Sequence, residues 1–315
     1  MLLGLAAPPH FLFHRLDFIP LDLNDNGWIV GEKNDTIAVV LMDGRTVRLG
    51  VGSSCAINNR NHVLITQSKP FSTTAFLWDK GGRRFVANVD RVPRRLLDND
   101  TFLGYIKSRC YRVRIKPNGV GAVPLPLIPN GDTGSVTDGS VNTEWTAMNT
   151  DGTVVGMTNF GWSTSHTVSV DSKGRIVEIT PKGEIRPFWE LLAINSRGDL
   201  LGFHGYDQTI GGGDIAVRIG GKYRDLPPKL GQGYWDAHDI NERDEVVGEG
   251  KPSKPYANEM HALYWNGKQL YDLNSITSGT AGCVLETAVR INNHAWIVGT
   301  AKQGDSRIGY LLTPE

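Results

Sequence analysis

One nine-residue phrase recurs along this chain and limits what it can fold into. Its first occurrence is Leu23-Asn24-Asp25-Asn26-Gly27-Trp28-Ile29-Val30-Gly31, a tight Asn-x-x-Gly turn feeding a short apolar strand that stops at a glycine. It returns behind Asn58, Asn149, Asn195, Asn241 and Asn292, and in a degenerate form at Leu97-Asp98-Asn99-Asp100, which makes seven copies. An asparagine at the head of a turn can bond the backbone two residues on. The fourth position calls for positive φ, which Gly, Asn and Asp tolerate. That position holds Gly27, Asn61, Asp100, Gly152, Gly198, Asp244 and Ala295, so only the alanine departs from the rule. Between apolar runs, such a turn reads as a three-residue hairpin with a bulge.

The copies end at positions 31, 65, 104, 156, 202, 248 and 299, about 45 residues apart on average when the step round the chain ends is included. A period of about 40–45 residues with four strands per repeat is that of a β-propeller blade. The sixth repeat shows the strands most plainly: 237–241, 245–249, His261-Ala262-Leu263-Tyr264-Trp265, a turn at Asn266-Gly267, then 269–273. Further hairpins turn at Asp43-Gly44 and Lys80-Gly81-Gly82. Helix signals are nearly absent. The expected fold is therefore all-β: a single seven-bladed propeller of four-stranded blades over 1–315. The blades run from about 20–53, 54–92, 93–140, 141–188, 189–235 and 236–286, the last being 287–315 plus 11–20. The last repeat runs out one strand short after Ile308-Gly309-Tyr310-Leu311-Leu312, while 13–19 has nothing else to pair with. The N-terminal strand should complete the C-terminal blade and close the ring, removing exposed edges.

Composition excludes some functions. With 33 basic and 33 acidic residues, no global field draws the chain to nucleic acid or an anionic membrane. No apolar run approaches the roughly 18 residues of a membrane helix. Cys55, Cys110 and Cys283 are widely spaced and odd in number, which fits buried free thiols better than a disulfide framework. The N-terminus lacks the basic head and the apolar length of a signal peptide, and compartment is not legible.

The combination of Asn-x-x-Gly-x-x-Val-Gly, a following His261-Ala262-Leu263-Tyr264-Trp265 and a closing Tyr271-Asp272-Leu273 resembles the HAF repeat family of bacterial, often exported, proteins. Leu285-Glu286-Thr287-Ala288 and the tail Gly309-Tyr310-Leu311-Leu312-Thr313-Pro314 are similar to the same family, whereas Ala75-Phe76-Leu77-Trp78 lacks the motif's histidine. The likeness is strong over repeats four to seven and weak in two and three. It implies a propeller-like fold and no particular activity.

Counting back five residues from the leading asparagine reaches Glu144, Glu190 and Asp236 in three successive blades, beside Trp145, Trp189 and Trp235. Radial symmetry should bring equivalent positions to one channel mouth. His238 follows two residues after Asp236, and Glu286 and Arg290 fall in the matching segment of the next blade. Loops on the same face add Trp162, His204, Tyr206 and Tyr234. The many basic residues of the third blade, Arg91 among them, read first as a solvated flank, and the sharper reading is an anion site facing the acids with Arg94 and Arg95 at the channel mouth. Such a pocket suits a small polar or aromatic molecule or a carbohydrate, with aromatic faces for stacking. The bland alternative is that acid and tryptophan belong to the repeat and pack blade on blade. Two other uses of the same face are a propeller enzyme (lyase, hydrolase or cyclase) with Glu144, Glu190, Asp236 and His238 as acid–base or metal groups, and a protein-binding scaffold. No cofactor is expected. A divalent cation at the carboxylates is the less favoured option, and Asp22-x-Asn24-x-Asn26 imitates the start of a calcium loop without its twelfth-position glutamate. His166 and His261 hold the repeat's own histidine position, and His62 falls inside a turn, where solvation is expected. No Ser/His/Asp, Cys/His or zinc spacing is present.

Overall fold

The computed structural model describes residues 8–69, 72–128, 143–159, 165–179, 188–207, 212–226, 235–251 and 259–315. They form seven antiparallel sheets, one per repeat, arranged as the blades of a β-propeller. Blade 1, for example, runs Ile19–Leu23, Ile29–Lys33, Ile37–Met42 and Arg45–Val51 from inner to outer strand. Blade 7 is completed as the sequence requires. Phe11–Leu16 pairs antiparallel with Ser306–Pro314, Phe11 opposite Pro314 and Leu16 opposite Gly309, so the first strand is the outer strand of the last blade. Thr277–Ser278 adds two residues in parallel beyond it.

Both faces of a blade are buried, because each packs on a neighbour. The apolar residues accordingly gather into seven clusters, one at each seam. Val247, Ala262 and Tyr264 of blade 6 meet Leu285, Ala288 and Tyr310 of blade 7, and Leu23, Ile29 and Val39 of blade 1 meet Val298 of blade 7.

The leading asparagine holds the seams together at the turns. Its Oδ1 caps its own turn: Asn24 accepts from the amides of Asn26 and Trp28, and Asn292 from those of His294 and Trp296. Its Nδ2 crosses to the next blade. Asn24 donates to the carbonyl of Asn58, Asn58 to Leu97, Asn149 to Ser196, Asn195 to Asn241, Asn241 to Asn292, and Asn292 back to Asn24. The belt is broken only where Leu97 stands in place of an asparagine. The fourth turn positions all have positive φ, from 57° at Ala295 to 84° at Gly198. His62 is not solvated as its turn position suggests. Its ring bonds Asp100 of blade 3 at 2.8 Å and is largely buried. His261 bonds Asp272 at 2.6 Å, the structural role expected of it.

Blade 3 departs from the pattern. It has three strands, Thr101–Ile106, Arg109–Lys116 and Gly119–Pro124. Residues 91–96, where other blades place their inner strand, form no ladder. Proline lacks the N–H a ladder needs, and Pro93 sits in the middle of this segment.

Candidate functional site

The inner strands share a defect that shapes the channel. In blades 1, 2, 4, 5, 6 and 7 the register shifts around the third residue before the leading asparagine: Leu21, Cys55, Thr146, Leu192, His238 and Val289. A bulge leaves one residue unpaired and re-aims its side chain. Four of these residues, Thr146, Leu192, His238 and Val289, line a cavity in the channel.

The glycine that ends the repeat makes room for this course. A Cβ on Gly156 would lie 2.2 Å from the carbonyl oxygen of Glu144, and one on Gly248 would lie 1.9 Å from that of Asp236. Only glycine lets the second strand approach the inner strand so closely. The carbonyls concerned belong to the very residues that carry the carboxylates.

The cavity measures about 1120 Å³. Glu144, Glu190, Asp236 and His238 line it from blades 4, 5 and 6, so the expected convergence of these four side chains is found. Arg91, Arg94 and Arg95 line it from the unladdered segment of blade 3, and Arg290 from blade 7. Absence of an inner strand in blade 3 thus brings arginines to the channel wall where other blades offer strand residues.

Several of these charges are paired. Arg91 bonds Glu144 at 2.7 Å and stacks its guanidinium 4.6 Å from the centre of the Tyr105 ring. The Tyr105 hydroxyl donates to the carbonyl of Trp145 and accepts from its amide, and burial holds the phenol far above its usual pKa. Arg95 pairs with Asp239 at 3.3 Å and donates to the carbonyl of Ile194. Arg290 Nε stands 3.5 Å from Asp22. Asp22, Arg95, Asp239 and Arg290 all lie two residues before the head of their repeat. They form a charged layer across the channel below the cavity. Asp22 also accepts from the amides of Leu23 and Ile57, yet burial outweighs these contacts and Arg290 and raises its pKa to about 6. On the far side of this layer, turn residues surround a smaller hollow of about 120 Å³.

Glu190 is half-buried and its pKa is raised. Loss of solvent is the main cause; Arg94 opposes it, and Asp236 and Glu144 reinforce it. Glu249, paired across the blade 6 ladder with Asp236, is raised for the same first reason, with His238 pulling it down. The His238 ring approaches the carbonyl of Ala288 through Nδ1 at 3.1 Å. A carbonyl only accepts, so Nδ1 carries the proton and Nε2 remains for a partner.

Some expectations need correction. Trp145 borders the cavity but is only 3 % exposed, with its indole N–H on the carbonyl of Pro126 and its ring in the cluster between blades 3 and 4. It packs blade on blade and offers no open face for stacking. Glu286 does not border the cavity; it pairs with Arg307 at 3.4 Å. Arg290 belongs to the charged layer, and Arg94 is the more open cation. Trp162 and Tyr234 lie outside the described residues, as do the side chains of Trp189, Trp235, His204 and Tyr206. Sequence reasoning missed Asp239, met Asp22 only as an imitation calcium loop, and did not separate the exposed Arg91 from the other basic residues of blade 3. Counting back two residues instead of five would have found the two aspartates opposite Arg95 and Arg290.

No protein-family model and no curated protein matches the chain. Solved structures do. The β-propeller domain of Cps50 (Swd1) from Myceliophteria thermophila aligns at 14 % identity with a TM-score of 0.57, over 96 % of this chain and 99 % of that one. YCF48 from Cyanidioschyzon merolae aligns at 12 % identity with a TM-score of 0.56, over 97 % and 98 %. A YCF48 bound to a D1 peptide gives 14 % and 0.56, over 98 % of both chains. These likenesses establish the propeller fold.

Proposed function

We propose that this propeller is a binding module that takes a small polar ligand in the cavity lined by Glu144, Glu190, Asp236, His238 and Arg94. The observation that carries this reading is the cavity itself. Its volume of about 1120 Å³ is slightly above the roughly 300–1,000 Å³ of small-molecule sites, and charged groups from five blades converge in it. The aromatic character expected of it is not supplied by Trp145, so polar recognition is the stronger component. On the repeat motif alone, the chain is taken as a member of the HAF repeat family.

The test is a thermal-shift screen over sugars, aromatic metabolites, short peptides, calcium and magnesium, run on the wild type and on Leu192→Trp, which projects an indole into the cavity. A compound present at 100 times its Kd stabilises by about 2.7 kcal/mol. The reading requires that at least one class raise the melting temperature and that Leu192→Trp reduce the effect. A shift that Leu192→Trp leaves unchanged places binding elsewhere and overturns it.

Catalysis in the same cavity is a second reading, favoured by one observation. His238 has Nδ1 committed to Ala288 and leaves Nε2 for a partner, while loss of solvent raises the pKa of Glu190 and of Glu249. Such a set can move protons in a lyase, hydrolase or cyclase. Turnover of a bound compound that is lost in Glu190→Gln while binding persists would establish it.

A further inference from the structure

We infer that the ligand of this cavity is a short peptide with free ends, its ammonium held at Glu190 and its carboxylate at Arg94. The inference rests on the binding reading above and specifies its chemistry.

Four guanidinium groups, Arg91, Arg94, Arg95 and Arg290, and four carboxylates, Glu144, Glu190, Asp236 and Asp239, line the cavity. Three of the cations are already matched: Arg91 with Glu144, Arg95 with Asp239, and Arg290 with Asp22 beneath. Among the described residues Arg94 has no carboxylate within 4.0 Å, and Glu190 has no cation within that distance. Arg94 nonetheless acts on Glu190 electrostatically, so the two share one space without touching. Opposite charges held apart across a cavity are complementary to a dipole. An anion alone meets Arg94 but is repelled by Glu190, and a cation alone meets the reverse. A neutral sugar hydrogen-bonds to both and neutralises neither. A zwitterion satisfies both ends, and partial burial of Glu190 strengthens its pull on an ammonium group.

Size and closure narrow the class further. A single amino acid fills a small part of about 1120 Å³, whereas a few peptide residues fit. The layer of Asp22, Arg95, Asp239 and Arg290 lies across the channel below. A chain therefore enters from the open side and is read by its ends, not threaded through.

The experiment is calorimetric titration of the full chain with trialanine and tetra-alanine, each as the free peptide, the N-acetyl form, the C-terminal amide and the doubly capped form, with neutral disaccharides alongside. Free peptides should bind, and each cap should weaken binding at least tenfold. Arg94→Gln should equalise the carboxylate and amide forms, and Glu190→Gln the amine and acetyl forms, each leaving discrimination at the other end intact. Capped peptides binding as well as free ones overturns the inference. So does binding of disaccharides with no response to the peptides, although the cavity then still holds a small polar ligand. If every probe fails while another compound in the thermal-shift screen binds and is weakened by Leu192→Trp, only the peptide assignment falls. Silence in both experiments removes the binding reading as well.

Discussion

Replacing Asn292 by alanine probes the belt of asparagines at its ring-closing seam. Asn292 accepts from the amides of His294 and Trp296 at 3.0 and 2.9 Å, and donates to the carbonyl of Asn24 at 3.0 Å. The side chain is buried. A neutral hydrogen bond contributes about 1 kcal/mol net, and a buried donor left unpaired costs about 1–3 kcal/mol. The Asn24 carbonyl keeps the amide of Gly27 at 3.2 Å, so it loses little. The two turn amides lose their acceptor, and the estimate for Asn292→Ala is about 3 kcal/mol. Asn292→Asp retains the acceptor, removes the cross-blade donor and sets a carboxylate oxygen against the Asn24 carbonyl, so at least about 1–2 kcal/mol is expected. Asn149 is the internal control: its Oδ1 takes the Thr153 amide at 3.0 Å and its Nδ2 reaches Ser196 only at 3.5 Å. Asn149→Ala should cost about 1 kcal/mol. Urea unfolding measures all three, read from midpoints at unchanged slope. If Asn292→Asp is as stable as the wild type, the crossing bond does not hold the ring, and if the two alanine variants lose the same amount, the turn bonds do not set the cost.

Other consequences follow from the same geometry. Gly248→Ala places a methyl 1.9 Å from the carbonyl of Asp236, so the inner strand must move. It should lose about 1–3 kcal/mol or more in urea unfolding and weaken any ligand held by Asp236. Gly198 has φ near 84° and open space, so Gly198→Ala should lose about 1 kcal/mol from backbone strain alone. Ala295, at φ 57°, already bears that strain, and Ala295→Gly should lose nothing. Asp22 sets a pH dependence. Its folded pKa, about 6, is raised above the ordinary value of 3.8, so its protonated form favours the fold. Its contribution is fully present below about pH 4 and is lost as pH rises through about 6, roughly 3 kcal/mol in all. Asp22→Asn should flatten the dependence of the urea midpoint on pH over this range.

The ring was legible because its determinants are local and repeated. The Asn-x-x-Gly turn, the positive-φ positions and the orphan strand at the N-terminus each announce themselves in one stretch of chain. The convergence of Glu144, Glu190 and Asp236 was legible because equal repeats put equal positions at equal depth. Contacts across seams were harder to read. The amide of Asn24 serves the next blade, and its partner is a backbone carbonyl, which has no sequence signature. Trp145 looked like a stacking platform because an aromatic beside an acid reads the same whether it faces solvent or a neighbouring blade. Its bond to Pro126 decides the matter. The third blade was legible in part. Arg91, Arg94 and Arg95 are exposed, as a solvated flank would have them, but Pro93 denies their segment a ladder and they also line the channel.

That carboxylates from separate blades share one cavity with Arg94 is most directly tested by following Glu190 itself, through the carboxyl resonance of ¹³C-labelled glutamate assigned with Glu190→Gln. Glu190 should titrate above the usual glutamate range, lower in Asp236→Asn and higher in Arg94→Gln. An ordinary titration that neither substitution moves would mean that these groups do not meet, and the proposed site would not exist.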